Sequence, residues 1–71
     1  MPSFKAREIV KILEKLGYIQ KRQTGSHLIM YHVKLKKIIP VPMHAKELKK
    51  GLTKGIIKQA ESTEEEFLKL K

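Results

Sequence analysis

The histidine of the tripeptide Gly25-Ser26-His27 is the residue of this chain best placed for acid-base chemistry. Histidine is the only side chain whose unperturbed pKa lies near neutrality, so it can accept and return a proton at cellular pH. Gly25 has no side chain, which would let a phosphate approach the backbone beside the imidazole. The spacing leaves an alternative open, in which His27 is a surface histidine that closes a hairpin turn.

The other two histidines are weaker candidates. We expect His32 to be a packing or surface residue, whereas His44 lies in a connector that could approach the edge of a sheet. The three histidines show no zinc-ligand spacing, and the chain has no cysteine. The first 60 residues hold three scattered glutamates, too few to cluster around two metal ions. We therefore expect no metal and no cofactor.

The charge of the chain favours an anionic partner. It carries 16 Lys and Arg against seven acidic residues, a formal net charge of +9. Fourteen of those cations and only three glutamates lie in residues 1–60, so the body of the protein is basic. This imbalance is typical of nucleic-acid binding, although lysines can also serve solubility alone. A membrane partner is disfavoured because no helix pairs a lysine face with a large aromatic face.

RNA is the nucleic acid that best fits a histidine without metal ligands. The 2′-hydroxyl of RNA is an internal nucleophile, so proton transfer and cations that stabilise the phosphorane suffice for cleavage, whereas DNA lacks that hydroxyl. Each lysine taken alone fits a solvated charge better than a specific ligand. The predicted RNA-binding residues, which surround the turns and the start of the second helix, are Gly25, Ser26, Lys21, Arg22, Lys34, Lys36, Lys37, Lys46, Lys49 and Lys50.

The hydrophobic pattern predicts helix, three-stranded meander, helix and a short acidic helix. Pro40 cannot donate a hydrogen bond to a neighbouring strand, so the third strand should lie at the sheet edge. Alternation in the second strand places His27, Ile29 and Tyr31 on one face, unless the register slips by one. The predicted elements are a helix that Ser3 caps and Gly17 ends, strands over 18–23, 27–33 and 38–41 with a basic turn over 34–37, a helix whose apolar face is Leu52, Ile56, Ile57 and Ala60, and Glu64–Leu70 capped by Ser62 or Thr63.

These elements predict one α+β domain over residues 1–71, with a core over 1–61 and a helical extension over 62–71. The helices should cover one face of the sheet, in the order of a double-stranded RNA-binding domain. No apolar run approaches the roughly 20 residues of a membrane span, and no signal peptide is visible at the start. We expect a soluble, unprocessed, monomeric, cytoplasmic protein.

Six motifs cover nearly the whole length of the chain: Leu16-Gly17-Tyr18, Gly25-Ser26-His27 with Met30, Val41-Pro42-Met43-His44, Lys46-Glu47-Leu48-Lys49-Lys50-Gly51, Ile56-Ile57-Lys58-Gln59-Ala60 and Thr63-Glu64-Glu65-Glu66-Phe67. In their order and spacing they resemble the HicA-type toxins of toxin-antitoxin pairs. The resemblance implies the double-stranded RNA-binding-domain fold, mRNA cleavage with His27 as the catalytic residue, and inhibition by a HicB-type antitoxin. The alternative is a non-catalytic RNA-binding module, either ribosome-associated or a degenerate toxin. Glu61 departs from the family, which commonly ends its second helix with glycine, and Gly55 and Pro40 are locally unusual.

Overall fold

The computed structural model describes residues 3–44 and 47–71. It contains one antiparallel sheet of three strands, in the order β1-β2-β3, and three helices. The predicted α+β order is therefore confirmed. The elements are α1 (Ala6–Lys15), β1 (Ile19–Thr24), β2 (His27–His32), β3 (Lys37–Pro42), α2 (Lys50–Gln59) and α3 (Glu64–Leu70).

The first helix begins later than the sequence predicted. Lys5, not Ser3, is the N-cap residue, and the Glu8 carboxylate accepts its backbone N–H at 2.8 Å. The helix ends as predicted at Gly17, whose φ of +103° favours glycine. A Cβ at Gly17 would also lie 2.7 Å from Nε2 of His32. Both the backbone conformation and the close ring explain why this position is glycine.

The sheet is a meander with a polar first strand and a proline-containing last strand. β3 lies at an edge and pairs with β2, with Pro40 opposite Ile29, so Pro40 occupies the predicted edge position. β3 begins at Lys37, which the pattern had placed in the preceding turn. Burial follows the predicted alternation of β2, because Leu28 and Met30 are buried while His27 is exposed.

The hydrophobic core lies between the sheet and the helices. Within α2, Ile56 and Ile57 are buried as predicted, but Leu52 is 45% exposed and the buried residue beside it is Thr53. The apolar face of this helix is therefore rotated from the predicted one. The buried apolar residues are Phe4, Ala6, Ile9, Val10, Ile12, Leu13, Tyr18, Leu28, Met30, Ile39, Val41, Leu48, Ile56, Ile57 and Phe67.

Glu61 ends α2 in a conformation that normally favours glycine. Its φ is +53°, and the N–H groups of Glu61 and Ser62 donate to the carbonyls of Lys58 and Ile57, both at 3.0 Å. The Glu61 carboxylate forms an ion pair with Lys37 at the start of β3, and this hydrogen bond lowers the pKa of the Glu61 carboxyl. A side chain at this position therefore links α2 to the sheet, which glycine could not do.

The short helix α3 packs against the domain through one aromatic side chain. Phe67 is fully buried and its ring meets that of Phe4 edge to face at a centroid distance of 6.2 Å. Thr63 caps the helix, because its Oγ1 accepts the Glu66 N–H at 3.1 Å. Lys71 donates to the Ser3 carbonyl at 3.1 Å, which joins the two ends of the described chain.

Tyr18 lies buried between α1 and β1. Its hydroxyl is buried and has no hydrogen-bond partner among the described residues. Burial raises the pKa of the Tyr18 phenol above its ordinary value of 10.0, while Lys37 opposes and Glu61 adds to this effect. The native state therefore holds the Tyr18 proton at a pH at which the unfolded chain has lost it.

The pH dependence follows from the raised pKa. Tyr18 ionisation leaves the free energy of unfolding unchanged below pH 10 and lowers it as pH rises from there through the raised folded-state pKa. Tyr18→Phe should remove this loss of stability above pH 10. It should also raise the free energy of unfolding by about 1 kcal/mol at neutral pH, because the unpaired hydroxyl is gone. Urea unfolding of wild type and Tyr18→Phe between pH 8 and about 11 measures the free energy of unfolding of each. Parallel losses of stability above pH 10 would contradict the assignment.

Candidate functional site

The tripeptide that carries His27 forms the tight turn between β1 and β2. Gly25 has a φ of +57°, and the Cβ of any larger residue there would meet nothing within 4 Å. The turn conformation, rather than crowding, is therefore what requires glycine at this position. The open space beside Gly25 is compatible with the predicted approach of a phosphate.

A second segment of the chain is hydrogen-bonded to this turn. The Met43 N–H donates to the Ser26 carbonyl at 2.6 Å, just beyond the pairing of His27 with Pro42. Gln23 adds a side-chain hydrogen bond from Nε2 to the Gly25 carbonyl at 3.4 Å. These contacts hold the backbone of His27 while its side chain stays exposed.

His27 lines a groove of about 390 Å³ between the sheet edge and α2. From the sheet side, Pro40, Pro42 and His44 join it. The groove therefore brings His27 together with the histidine of the connector. His32 lies apart from both, because its Nδ1 accepts the Leu35 N–H at 3.1 Å and its ring packs edge to face on Tyr18.

The α2 wall of the groove is largely bare backbone and apolar side chains. Gly51 and Gly55 line it together with Leu52, Ile56 and Gln59. A Cβ at either glycine would meet nothing within 4 Å, so the close packing that the Gly51/Gly55 spacing would have permitted is not what the structure uses. No local pattern indicated that these glycines face His27, because only the packing of α2 beside β3 brings them there.

A β-bulge decides which cations share the face of His27. The β1–β2 register shifts between Gln20 and Arg22, so that Arg22 is opposite Ile29 and Thr24 is opposite His27. Without the bulge, strand alternation would place Ile19 and Arg22 on opposite faces. With it, Ile19, Arg22 and His27 all lie on the same face of the sheet. This is the open face, opposite the face that carries the buried Leu28 and Met30.

The predicted RNA-binding cations fall into separate groups. Lys21 is at the bulge, with Nζ 4.8 Å from the centre of the Tyr31 ring. Lys49 and Lys50 are exposed at the start of α2, next to the groove residue Gly51. Lys46 lies outside the described residues.

The remaining predicted cations lie at the far end of the sheet. Lys34 and Lys36 occupy the β2–β3 turn, at the opposite end of β2 from His27, a span of about 17 Å at the usual rise of a strand. Lys37 also lies there, paired with Glu61 and donating to the Gln59 carbonyl at 3.3 Å. The structure therefore groups Arg22, Lys49 and Lys50 with His27 more closely than the cations of the second turn.

Gly55 offers a stability test of the bare helix wall. Glycine inside a helix costs about 1 kcal/mol relative to alanine, and no neighbouring atom opposes a methyl group at this position. Gly55→Ala should therefore raise the free energy of unfolding by about 1 kcal/mol while narrowing the groove. Chemical denaturation measures the gain, and Lys54→Ala, at the adjacent exposed helical position, is the matched control. A destabilised Gly55→Ala would show that the glycine has a packing role.

The described residues include neither a helix suited to cross a bilayer nor a cluster placed to hold a metal ion. None of their helices combines the length and apolar character needed to cross a bilayer. Residues 3–44 and 47–71 also contain no cluster of three or more His, Cys, Asp or Glu side chains placed to hold a metal ion. The groove thus presents imidazoles, apolar walls and nearby cations.

Comparison with known proteins adds one match. A family model described as the HicA toxin of bacterial toxin-antitoxin systems matches residues 6–61, from the first residue of α1 to the residue that ends α2. No curated protein matches the chain. The matched range includes the turn with His27, the β1 bulge and both walls of the groove.

Proposed function

Because the chain belongs to the HicA toxin family of bacterial toxin-antitoxin systems, we propose that it is a toxin that cleaves mRNA, with His27 as an acid-base residue. The observation that carries the proposal is the position of His27, exposed on a tight turn and lining a groove of about 390 Å³. Such a groove has room for a nucleotide.

The proposed chemistry is an internal transesterification. The 2′-oxygen of the ribose attacks the adjacent phosphorus, the bond from phosphorus to the 5′-oxygen breaks, and the products are a 2′,3′-cyclic phosphate and a 5′-hydroxyl. His27 either removes the proton from the 2′-hydroxyl or gives a proton to the leaving 5′-oxygen. No water, oxidant or cofactor enters this step.

Nearby cations support the binding of the phosphates. Arg22 shares the open sheet face with His27, and Lys49 and Lys50 stand at the start of the helix that forms the opposite wall. Their charges favour the phosphate backbone and stabilise the phosphorane, without reading sequence. Cleavage under subsaturating conditions should therefore weaken with rising salt.

Membership of the family implies a cognate antitoxin, and we propose that a HicB-type protein lies along the open sheet face and covers His27. Ile19, Tyr31 and Ile38 are cross-strand neighbours on the open sheet face, and the two isoleucines are 51% and 53% exposed. This apolar row lies four residues along β2 from His27, about 13 Å at the usual rise of a strand, so a protein that covers both lies along most of the open face. Cleavage that persists at saturating antitoxin from the neighbouring reading frame would contradict inhibition by occlusion.

The purified protein should cleave an RNA oligonucleotide in the presence of EDTA. The same oligonucleotide with a 2′-deoxyribose at the cleaved linkage should resist, because its nucleophile is missing. Gel analysis of end-labelled RNA measures both, and the cyclic phosphate end identifies the chemistry. Cleavage of the deoxy substrate at the same linkage, or loss of cleavage in EDTA, would contradict the proposal.

A binding module without catalysis is the second candidate, and one observation favours it. Lys21 over the Tyr31 ring makes a cationic aromatic surface on the open sheet face, which could stack a base away from His27. This function predicts salt-dependent RNA binding with intact RNA after prolonged incubation. The EDTA cleavage assay distinguishes the two candidates directly.

A further inference from the structure

We infer that His44 is the second proton-transfer residue of the site, so that His27 and His44 act as a pair on one phosphodiester. The inference rests on the proposed function and adds the group that performs the other proton transfer. Both imidazoles line the same groove of about 390 Å³.

The backbone explains why two histidines 17 positions apart in sequence meet. His27 is opposite Pro42 in the β2–β3 ladder, and the Ser26 carbonyl accepts the Met43 N–H one pair further on. β3 ends at Pro42, and His44 lies two residues further on, in a bend, where its side chain lines the same groove as His27.

The reaction itself requires groups on two sides of the phosphorus. In an in-line displacement the attacking and leaving oxygens lie on opposite sides, so one imidazole is poorly placed to serve both. One neutral histidine takes the 2′-hydroxyl proton as the new bond from oxygen to phosphorus forms. The other, protonated, gives its proton to the 5′-oxygen as the old bond breaks. At the end of the step the two imidazoles have exchanged their protonation states.

The surroundings of the groove suit this division of labour. His27 and His44 are the only titratable side chains among the described residues that line it, and its other side chains include Pro40, Pro42 and Leu52. The cations of the facing helix, Lys49 and Lys50, precede the groove residue Gly51, and Lys54 precedes Gly55. The groove therefore presents two imidazoles and neighbouring cations to one phosphodiester.

The test compares wild type, His27→Ala and His44→Ala at the linkage that the wild-type protein cleaves. Single-turnover rates are measured across pH, first with ordinary RNA and then with RNA in which sulfur replaces the leaving 5′-oxygen. A thiolate leaves without protonation, so this substrate removes the need for a general acid. His32→Asn is the matched control, because it removes the histidine that lies outside the groove.

We expect a bell-shaped pH profile for wild type and for His32→Asn. His44→Ala should lose about 10²-fold or more in rate together with one limb of the bell. The sulfur substrate should restore only one of the two alanine variants to within about tenfold of wild type, which identifies the acid. If the sulfur substrate restores neither variant, or restores both, the assignment of one histidine as general acid and the other as general base is wrong.

The outcomes separate this inference from the proposed function. Wild type that fails to cleave RNA would remove both. Cleavage that depends on His27, but that His44→Ala retains with both limbs of the profile, would overturn the role of His44 alone. A His44→Ala protein whose rate falls with an unchanged profile would also overturn it, because that result indicates binding or folding rather than proton transfer.

Discussion

His27→Ala is expected to lower the rate of RNA cleavage by about 10²–10⁴-fold, the usual contribution of a positioned acid-base group. The side chain is exposed and lies on the open face of the sheet, so its removal leaves the hydrophobic core intact. The free energy of unfolding should therefore change by no more than about 0.5 kcal/mol. Loss of cleavage without loss of stability separates a chemical role from a structural one.

Cleavage of end-labelled RNA and chemical denaturation measure the two quantities on the same preparations. His32→Asn is the control, since His32 packs against Tyr18 and lies outside the groove. It should retain cleavage even if its stability falls. In cells, induced wild type should arrest growth while His27→Ala should not. A His27→Ala protein that cleaves RNA as fast as wild type would contradict the acid-base role of His27.

Phe67→Ala is expected to destabilise the protein by about 3–5 kcal/mol, the usual cost of emptying a large buried aromatic site. Phe67 is fully buried and contacts the ring of Phe4 edge to face, with an interplanar angle of 79°. Native proteins have only about 0.05–0.15 kcal/mol of stability per residue, so this loss is comparable to the total for a chain of 71 residues. Much of the variant should be unfolded at growth temperature.

The adjacent residue provides a matched control for Phe67. Leu68 belongs to the same helix but is 40% exposed, so Leu68→Ala should cost much less than Phe67→Ala. Thermal and urea unfolding of the two variants measure the difference. The helix α3 lies outside the family match over residues 6–61. Equal, small losses would show that it contributes little to the core.

Local sequence signals predicted most helix ends and strand positions. Gly17 ends α1 because it adopts a positive φ, and Thr63 begins α3 because its hydroxyl accepts a backbone N–H. The alternation of β2 was also readable, since apolar and polar residues alternate with the period of a strand. These features depend on neighbours in sequence, which is why a sequence pattern carries them.

Errors arose where a distant contact replaced the local signal. Glu61 adopts a glycine-like φ and forms an ion pair with Lys37, a residue 24 positions away that the pattern had placed in a turn. Thr53 is buried in place of Leu52, because the packing of α2 rather than its own pattern sets which side faces the core. The error at the start of α1 differs, because a local contact decides it: Lys5, not Ser3, is the N-cap, and the Glu8 carboxylate three residues on accepts its backbone N–H.

The sequence by itself determined the basic charge, the α+β order and the choice of His27 as the chief candidate, because charge, periodicity and turn residues are local properties. Only the tertiary structure decided what surrounds that histidine. The bulge at β1 turns Arg22 onto its face, the β2–β3 register carries His44 into its groove, and two glycines of α2 form the opposite wall. Each depends on the pairing of segments far apart in sequence, which no single segment encodes.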